Sequence, residues 1–316
     1  MFVESSSQKR LHTHPMTPTP FALSIAALLL ASALSSIGWI LEGEAIARLD
    51  PLSVVCCSLI LGGVALLGIA HLRGGDLKLA FKEAIDIRFL LFSIFRCALL
   101  SLLFGYCLTL TSSTKTMFLT KIEPYIVLLI QIIWLGHKTT LQHLTLLGVH
   151  IGGAVLLSTG GRIALSQDIL GDLLILIAVT GHAATYHPAR RFADKLGSLY
   201  ASGFSQLIGG LALLPFMLAT TNNLLLLTPE RLTGWCYALA TVLVFYVLSS
   251  SLWFYSLKGI PSWLASALRS FGPLIAAPIA WLVFDQRLTN IQVFGAFTVV
   301  LTSALMVLLE RRERGV

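Results

Sequence analysis

Read for hydropathy, the chain is a series of long apolar runs cut by short polar breaks. Ten runs reach the roughly 20 residues that an α-helix needs to cross the hydrocarbon of a bilayer. They cover about 21–41, 52–71, 88–110, 114–136, 141–158, 169–187, 199–220, 233–256, 262–284 and 289–309. The pattern predicts an all-α integral membrane protein with ten transmembrane helices. Residues 1–20 are polar and hold Pro15, Pro18 and Pro20, which predicts a disordered cytoplasmic tail. The run after them is span-length and lacks a small-residue cleavage site, unlike a signal peptide. Connections are short; the longest, about 72–87, reads as an interfacial helix.

The apolar pattern is written twice. Residues 113–158 form a hydrophobic hairpin, and residues 262–309 form a second of the same plan. Each has an apolar helix with a central proline, a short polar turn, and a second helix that soon reaches a glycine. Pro124 and Pro273 lie 149 residues apart, Gly148 and Gly295 lie 147 apart. This predicts a five-helix repeat over 21–158, a linker over 159–168, a second five-helix repeat over 169–309 and a basic cytoplasmic tail at 310–316. Five spans per half start the second half on the opposite side from the first, so the repeats must be inverted, as in many secondary transporters.

Composition agrees: 56% of residues are hydrophobic and 12% charged, against about 25% charged in soluble domains. The net charge of +7 marks no nucleic-acid surface, because no basic stripe is interleaved with aromatics. Charge instead sets orientation. Of 22 Lys and Arg residues, three fall inside spans and five (Arg48, Lys115, Arg162, Arg231, Arg287) on one side, leaving 14 on the side of both termini. Positive charge concentrates in cytoplasmic loops, which predicts an inner (plasma) membrane protein with both ends cytoplasmic.

The three remaining cations are Arg96, Lys121 and Arg269. Each sits about eight residues into its span, or roughly 12 Å deep at 1.5 Å per residue, near the middle of a hydrocarbon core of about 30 Å. Glu123 is the acid at similar depth. A charge at the bilayer centre costs about 2.5–3.5 kcal/mol on the lenient insertion scale. One reading places the cations around a water-filled cavity that binds a carboxylate or phosphate, Arg by its bidentate fork and Lys as a point charge. The other pairs them structurally, with Glu123 neutralising one. Lys121 and Glu123 are two apart on one helix and face different ways, so Arg96 or Arg269 is the expected partner of Glu123. Pro124 and Pro273 should each free a backbone carbonyl at this depth, and broken midplane helices commonly line transporter sites.

Other residues carry two readings. His150, His182 and His187 read as interhelical hydrogen-bonders or, alternatively, proton carriers. Glu42 and Glu44 read as solvated at the outer end of the first span, or as lining the mouth of a pathway. Trp39, Tyr106, Tyr125, Trp253 and Trp263 would stack on a flat ligand or anchor helix ends at the interface. The glycine pairs at 62–63, 152–153 and 209–210, and the Gly148/Gly152 pair, would bring helices close; the last would also serve a homodimer. The five cysteines lie in apolar runs as packing residues, and no ligand set for a metal or cofactor is apparent. HExxH, GxSxG and P-loop patterns are absent.

The two five-span halves, with Pro273, Phe284-Asp285-Gln286-Arg287-Leu288-Thr289 and Gly295 in one and Pro124, Gly136-His137-Lys138-Thr139-Thr140 and Gly148 in the other, resemble the EamA-like branch of the drug/metabolite transporter superfamily. The turn acid that this family favours is Asp285 in the second half and is replaced by His137 in the first. The resemblance implies a carrier of a small organic molecule, commonly an exporter, working by alternating access, and not an enzyme. The site expected from the residues comprises Arg96, Lys121, Glu123, Arg269, Tyr125 and Trp253, lined by the breaks at Pro124 and Pro273, with an anionic or zwitterionic substrate. Glu123 is the candidate proton carrier. The competing expectation is a membrane-embedded enzyme acting on a lipid or a lipid-linked anion, with His182 or His187 as base.

Overall fold

A computed structural model describes residues 20–110, 119–136, 139–161, 169–220, 228–272 and 289–313, and all secondary structure in these segments is helical. Among the described residues six helical stretches are long and apolar enough to cross a membrane: Phe21–Ile46, Pro51–Leu72, Ile87–Phe104, Ser198–Thr220, Pro229–Ser256 and Asn290–Glu313. Side chains dictate where several begin. Asp50 accepts from the Ser53 amide at 2.8 Å, with Pro51 just inside, and Thr228 caps the helix from Pro229 in the same way. Both satisfy amides that have no partner within the helix. The expected interfacial helix is Leu77–Ala84, capped by Asp76.

We label the helices α1 (Phe21–Ile46), α2 (Pro51–Leu72), α3 (Leu77–Ala84), α4 (Ile87–Ser93), α5 (Leu100–Leu110), α6 (Glu123–Leu135), α7 (Leu141–Thr159), α8 (Ile169–Ala184), α9 (Tyr186–Leu196), α10 (Ser198–Thr220), α11 (Pro229–Thr241), α12 (Ser250–Ser256), α13 (Ser262–Leu268) and α14 (Asn290–Glu313). The run expected over 169–187 stops at Ala184 and restarts as the charged helix α9. The cause is Pro188. It has no N–H to reach the Ala184 carbonyl, but it fits the first turn of a new helix.

Two helices carry a π-helical segment inside them: Ile94–Leu99 between α4 and α5, and Val242–Ser249 between α11 and α12. Their first residues are 148 apart and their last 150, bracketing the 149 that separates the two prolines. The wide turn is therefore part of what repeats.

Packing pairs the elements antiparallel. Along α2 and α10, Cys57 meets Met217, Cys56 meets Gly210, and Gly63 meets Gly203 and Leu207. Along α7 and α14, His143 meets Glu313, Gly153 meets Thr298, and Gly160 meets Gln292. The contacts between α1 and the second π-bearing helix run from Leu49–Gly234 to Ala31–Ser249. Those between α8 and the first run through Gly181–Leu100 to Thr185–Arg96. Chain ends group as the charge pattern groups them: α3 and α9 are joined by Glu83 and Lys195, and Arg48 lies over the Tyr237 ring at 5.2 Å.

The glycines differ in use. A methyl group on Gly63, Gly153, Gly209, Gly210 or Gly295 would meet a neighbouring helix at 3.0 Å or less, whereas one on Gly152 would meet nothing within 4 Å and one on Gly148 would meet the Tyr125 hydroxyl. Close helix approach therefore rests on Gly153 and Gly295, not on the Gly148/Gly152 pair. The largest buried cluster, including Leu28, Phe89, Tyr186, Phe204, Trp253 and Leu257, lies where the two halves meet.

Candidate functional site

Arg96 sits in the first π segment. A π turn fits one more residue into the helix than an α turn, re-aiming the side chains beside it. The Arg96 guanidinium donates to the Thr185 hydroxyl and lies 4.1 Å from the centre of the Trp253 ring. Thr185 is the residue at the break between α8 and α9, and its own hydroxyl donates to the His182 carbonyl at 2.6 Å. Trp253 meets the Tyr186 ring edge-to-face at 5.3 Å. Arg269 opens a single 3-10 turn after α13, and its Nη1 donates to the Tyr186 hydroxyl at 3.3 Å.

Lys121 and Glu123 flank a second break. Residues 121–122 form a turn, and α6 starts at Glu123 with Pro124 in its first turn. Pro124 therefore begins a helix instead of kinking one. Pro273 and the Asp285 turn lie outside the described residues. Glu123 is paired with His182, whose Nδ1 lies 3.2 Å from Oε1. This corrects the expectation that Arg96 or Arg269 would partner it: among the described residues no arginine nitrogen lies within salt-bridge distance. Arg96 and Lys121 each still lie near enough to feel the charges of Glu123 and Arg269.

The structure therefore gathers Arg96, Lys121, Glu123, Arg269 and Trp253, and adds His182, Thr185 and Tyr186. Tyr125 is not among them; its hydroxyl donates to the Leu144 carbonyl of α7 at 3.3 Å. Trp39 and Tyr106 are exposed, as anchors in lipid would be, and Trp263 is fully buried against His143. His150 bridges helices, with Nδ1 3.0 Å from the Thr302 hydroxyl and Nε2 donating to the Ala267 carbonyl at 2.9 Å. Glu44 is exposed and pairs with Arg48. Glu42 departs from the solvated reading: it turns inward and accepts from the Tyr246 hydroxyl at 2.8 Å. Beside it Gln206 donates to the Tyr246 carbonyl and the Ser250 hydroxyl at 2.8 and 2.7 Å. Thr185, Tyr186, Gln206 and Tyr246 had one signal in the sequence, polar or amphipathic side chains within or at the end of a span, but nothing there tells which way each points.

Chemically the cluster is rich in donors. Both arginines rest on neutral groups, a threonine, a tyrosine and an aromatic face, none of which cancels a charge. Lys121 has no hydrogen bond or ion pair among the described residues. Among the described residues the buried Trp253 indole N–H meets no acceptor, although buried polar groups are normally satisfied. With Glu123 as the carboxylate beside three cations among the described residues, the site carries a formal charge of +2.

Such a fold and site define a multi-pass α-helical membrane protein with a charged cluster between two repeated halves. The sequence profile of the EamA-like transporter family matches residues 22–159 and again 169–308. The chain belongs to this family, within the drug/metabolite transporter superfamily. It is 25% identical over 207 residues to the "Uncharacterized transporter YetK" of Bacillus subtilis (strain 168), a match spanning 63% of this chain and 62% of that protein. A solved structure described only as "Crystal structure of protein" superimposes with a TM-score of 0.75 over 92% of this chain and 97% of that one. At 16% identity, that likeness shows the fold alone.

Proposed function

We propose that this protein is a secondary transporter that exports a small anionic or zwitterionic organic molecule. It works by alternating access between two inverted five-helix repeats, ten spans in all, with both termini on the cytoplasmic side of the inner membrane. The antiparallel pairing of α2 with α10 and of α7 with α14 supports the inverted arrangement. The family supports transport over enzymatic turnover.

The observation that carries the substrate class is the pairing at the cluster. Arg96 and Arg269 are held by neutral partners, and Glu123 is taken by His182. An anion between the arginines, Lys121 and the Trp253 N–H would remove the unbalanced charge and satisfy the orphaned donor. Burying charges is costly unless they are paired, so carboxylate- or phosphate-bearing ligands should bind and neutral analogues should not. Arg96 and Arg269 grip the anionic group, Lys121 adds a point charge, and Trp253 and Tyr186 wall the site. Glu123 serves a cationic group of a zwitterion or a coupled proton.

The test is a thermal-shift screen of the purified protein in detergent against metabolites grouped by charge, with Lys121→Ala and Arg269→Ala alongside. A ligand that binds only the folded form raises the melting temperature. Anions should stabilise the wild type and lose that effect in both variants. Stabilisation by cations or neutral aromatics alone, undiminished in the variants, overturns the assignment.

A further inference from the structure

Away from the central cluster, three potential metal ligands meet where α7 begins and α14 ends. A ring nitrogen of His143, a Glu310 carboxylate oxygen and a Glu313 carboxylate oxygen all lie within 4.8 Å of one another. His143 and Glu310 are buried, 2% and 8% exposed, while the Glu313 side chain is 44% exposed and opens the group to solvent. We propose that His143, Glu310 and Glu313 form a binding site for a first-row divalent cation, Zn²⁺ or a close relative, that ties the last helix of one repeat to the last helix of the other.

Four observations carry this. The imidazole is held on its far side: Nδ1 lies 2.7 Å from the Thr140 hydroxyl, and the ring packs edge-to-face on Trp263 at 5.0 Å. A metal-binding histidine is normally oriented in this way, by a polar partner on its other nitrogen. Second, Nε2 is buried and makes no hydrogen bond among the described residues, although it points at Glu313 from 3.4 Å. A ring nitrogen this close to a carboxylate needs a positive centre between them, either a proton on Nε2 or a metal ion. Third, that 3.4 Å separation matches the ligand–ligand edge of about 3.4 Å expected for a tetrahedral ion with bonds of about 2.0–2.1 Å. Fourth, Glu310 and Glu313 are three apart on one helix, so they share a face, and α7 and α14 run antiparallel, which brings position 143 to that face. One imidazole and two carboxylates suit Zn²⁺ or Mn²⁺, with a position left for water.

No short-spacing motif announces this group, because its members come from opposite ends of the chain. The site does not depend on the transport reading, and a metal there would fasten α7 to α14 at one membrane face.

The rival is a proton on Nε2 of a neutral or charged His143 facing Glu313. Full-length protein in detergent, stripped with chelator and desalted, separates the two. Co²⁺ titration followed by visible absorption should saturate at one equivalent with the intense bands of a low-coordinate site, and Zn²⁺ should displace it. Glu313→Gln, at a half-exposed position that leaves folding intact, should weaken Zn²⁺ binding at least tenfold. Thr140→Ala should weaken it roughly 10–100-fold by freeing the ring. Failure of the wild type to bind either ion stoichiometrically overturns the site. So does equal affinity in wild type and Glu313→Gln.

Discussion

A single methyl group at Gly295 tests the antiparallel pairing of the last helices of the two repeats. An alanine Cβ there would stand 2.5 Å from the Leu157 amide nitrogen and 2.7 Å from the Gly153 carbonyl oxygen. Both are backbone atoms of a packed helix, so no side chain can swing aside. Overpacking of this kind costs about 1–3 kcal/mol, and the backbone character of the clash puts it at the upper end. Against this, alanine favours the helical backbone over glycine by about 1 kcal/mol. The clash wins, leaving Gly295→Ala about 2 kcal/mol less stable. Gly152→Ala is the control. Its Cβ meets nothing within 4 Å, so only the propensity gain of up to about 1 kcal/mol remains. The assay is thermal unfolding in detergent, followed by the fluorescence of the six tryptophans. At about 2–4 °C per kcal/mol, Gly295→Ala should melt several degrees below wild type and Gly152→Ala level with it or slightly above. Equal melting of the two variants would mean that α7 and α14 do not meet as described.

Three further outcomes follow from contacts on other faces. His150→Ala removes both interhelical hydrogen bonds and orphans the buried Ala267 carbonyl, so it should cost about 1–3 kcal/mol in the same melt; an unchanged midpoint refutes the bridge. Lys195→Ala breaks the pair with Glu83, whose side chains are 48% and 30% exposed; such pairs contribute about 0.2–1 kcal/mol, so a drop of many degrees would show a larger role. Glu123→Gln should flatten the pH dependence of anion-induced stabilisation, and a full pH dependence in the variant rules Glu123 out as the proton carrier.

Much of the fold is visible in hydropathy alone, because a bilayer asks for about 20 apolar residues whatever their neighbours. Thus α2 spans Pro51–Leu72 against an expected 52–71, and α10 spans Ser198–Thr220 against 199–220. Facing is the harder question. A helix in lipid is apolar all round, so the periodicity that reveals the buried face of a soluble helix carries little information. Arg96, Lys121, Glu123 and Arg269 stood out through the cost of burying charge, and the structure does bring them near one another. That His182 and not an arginine holds Glu123 depends on which way α8 is turned. The Tyr125 bond to Leu144 and the inward turn of Glu42 are likewise matters of facing: depth was readable, direction was not. The π segments left no mark in composition, since neither contains proline or glycine.

Those two wide turns have a geometric consequence. A π turn stores a surplus residue in a helix that otherwise advances 100° and 1.5 Å per residue. If the surplus slips along the helix, the residues it passes rotate by about 100° against the rest; if it is released into α-geometry, one side rotates by about 100° relative to the other. Arg96 lies inside one such turn. The same exchange would swing its guanidinium off the Trp253 face without unfolding any helix. The matching turn at Val242–Ser249 gives the opposite half the same freedom.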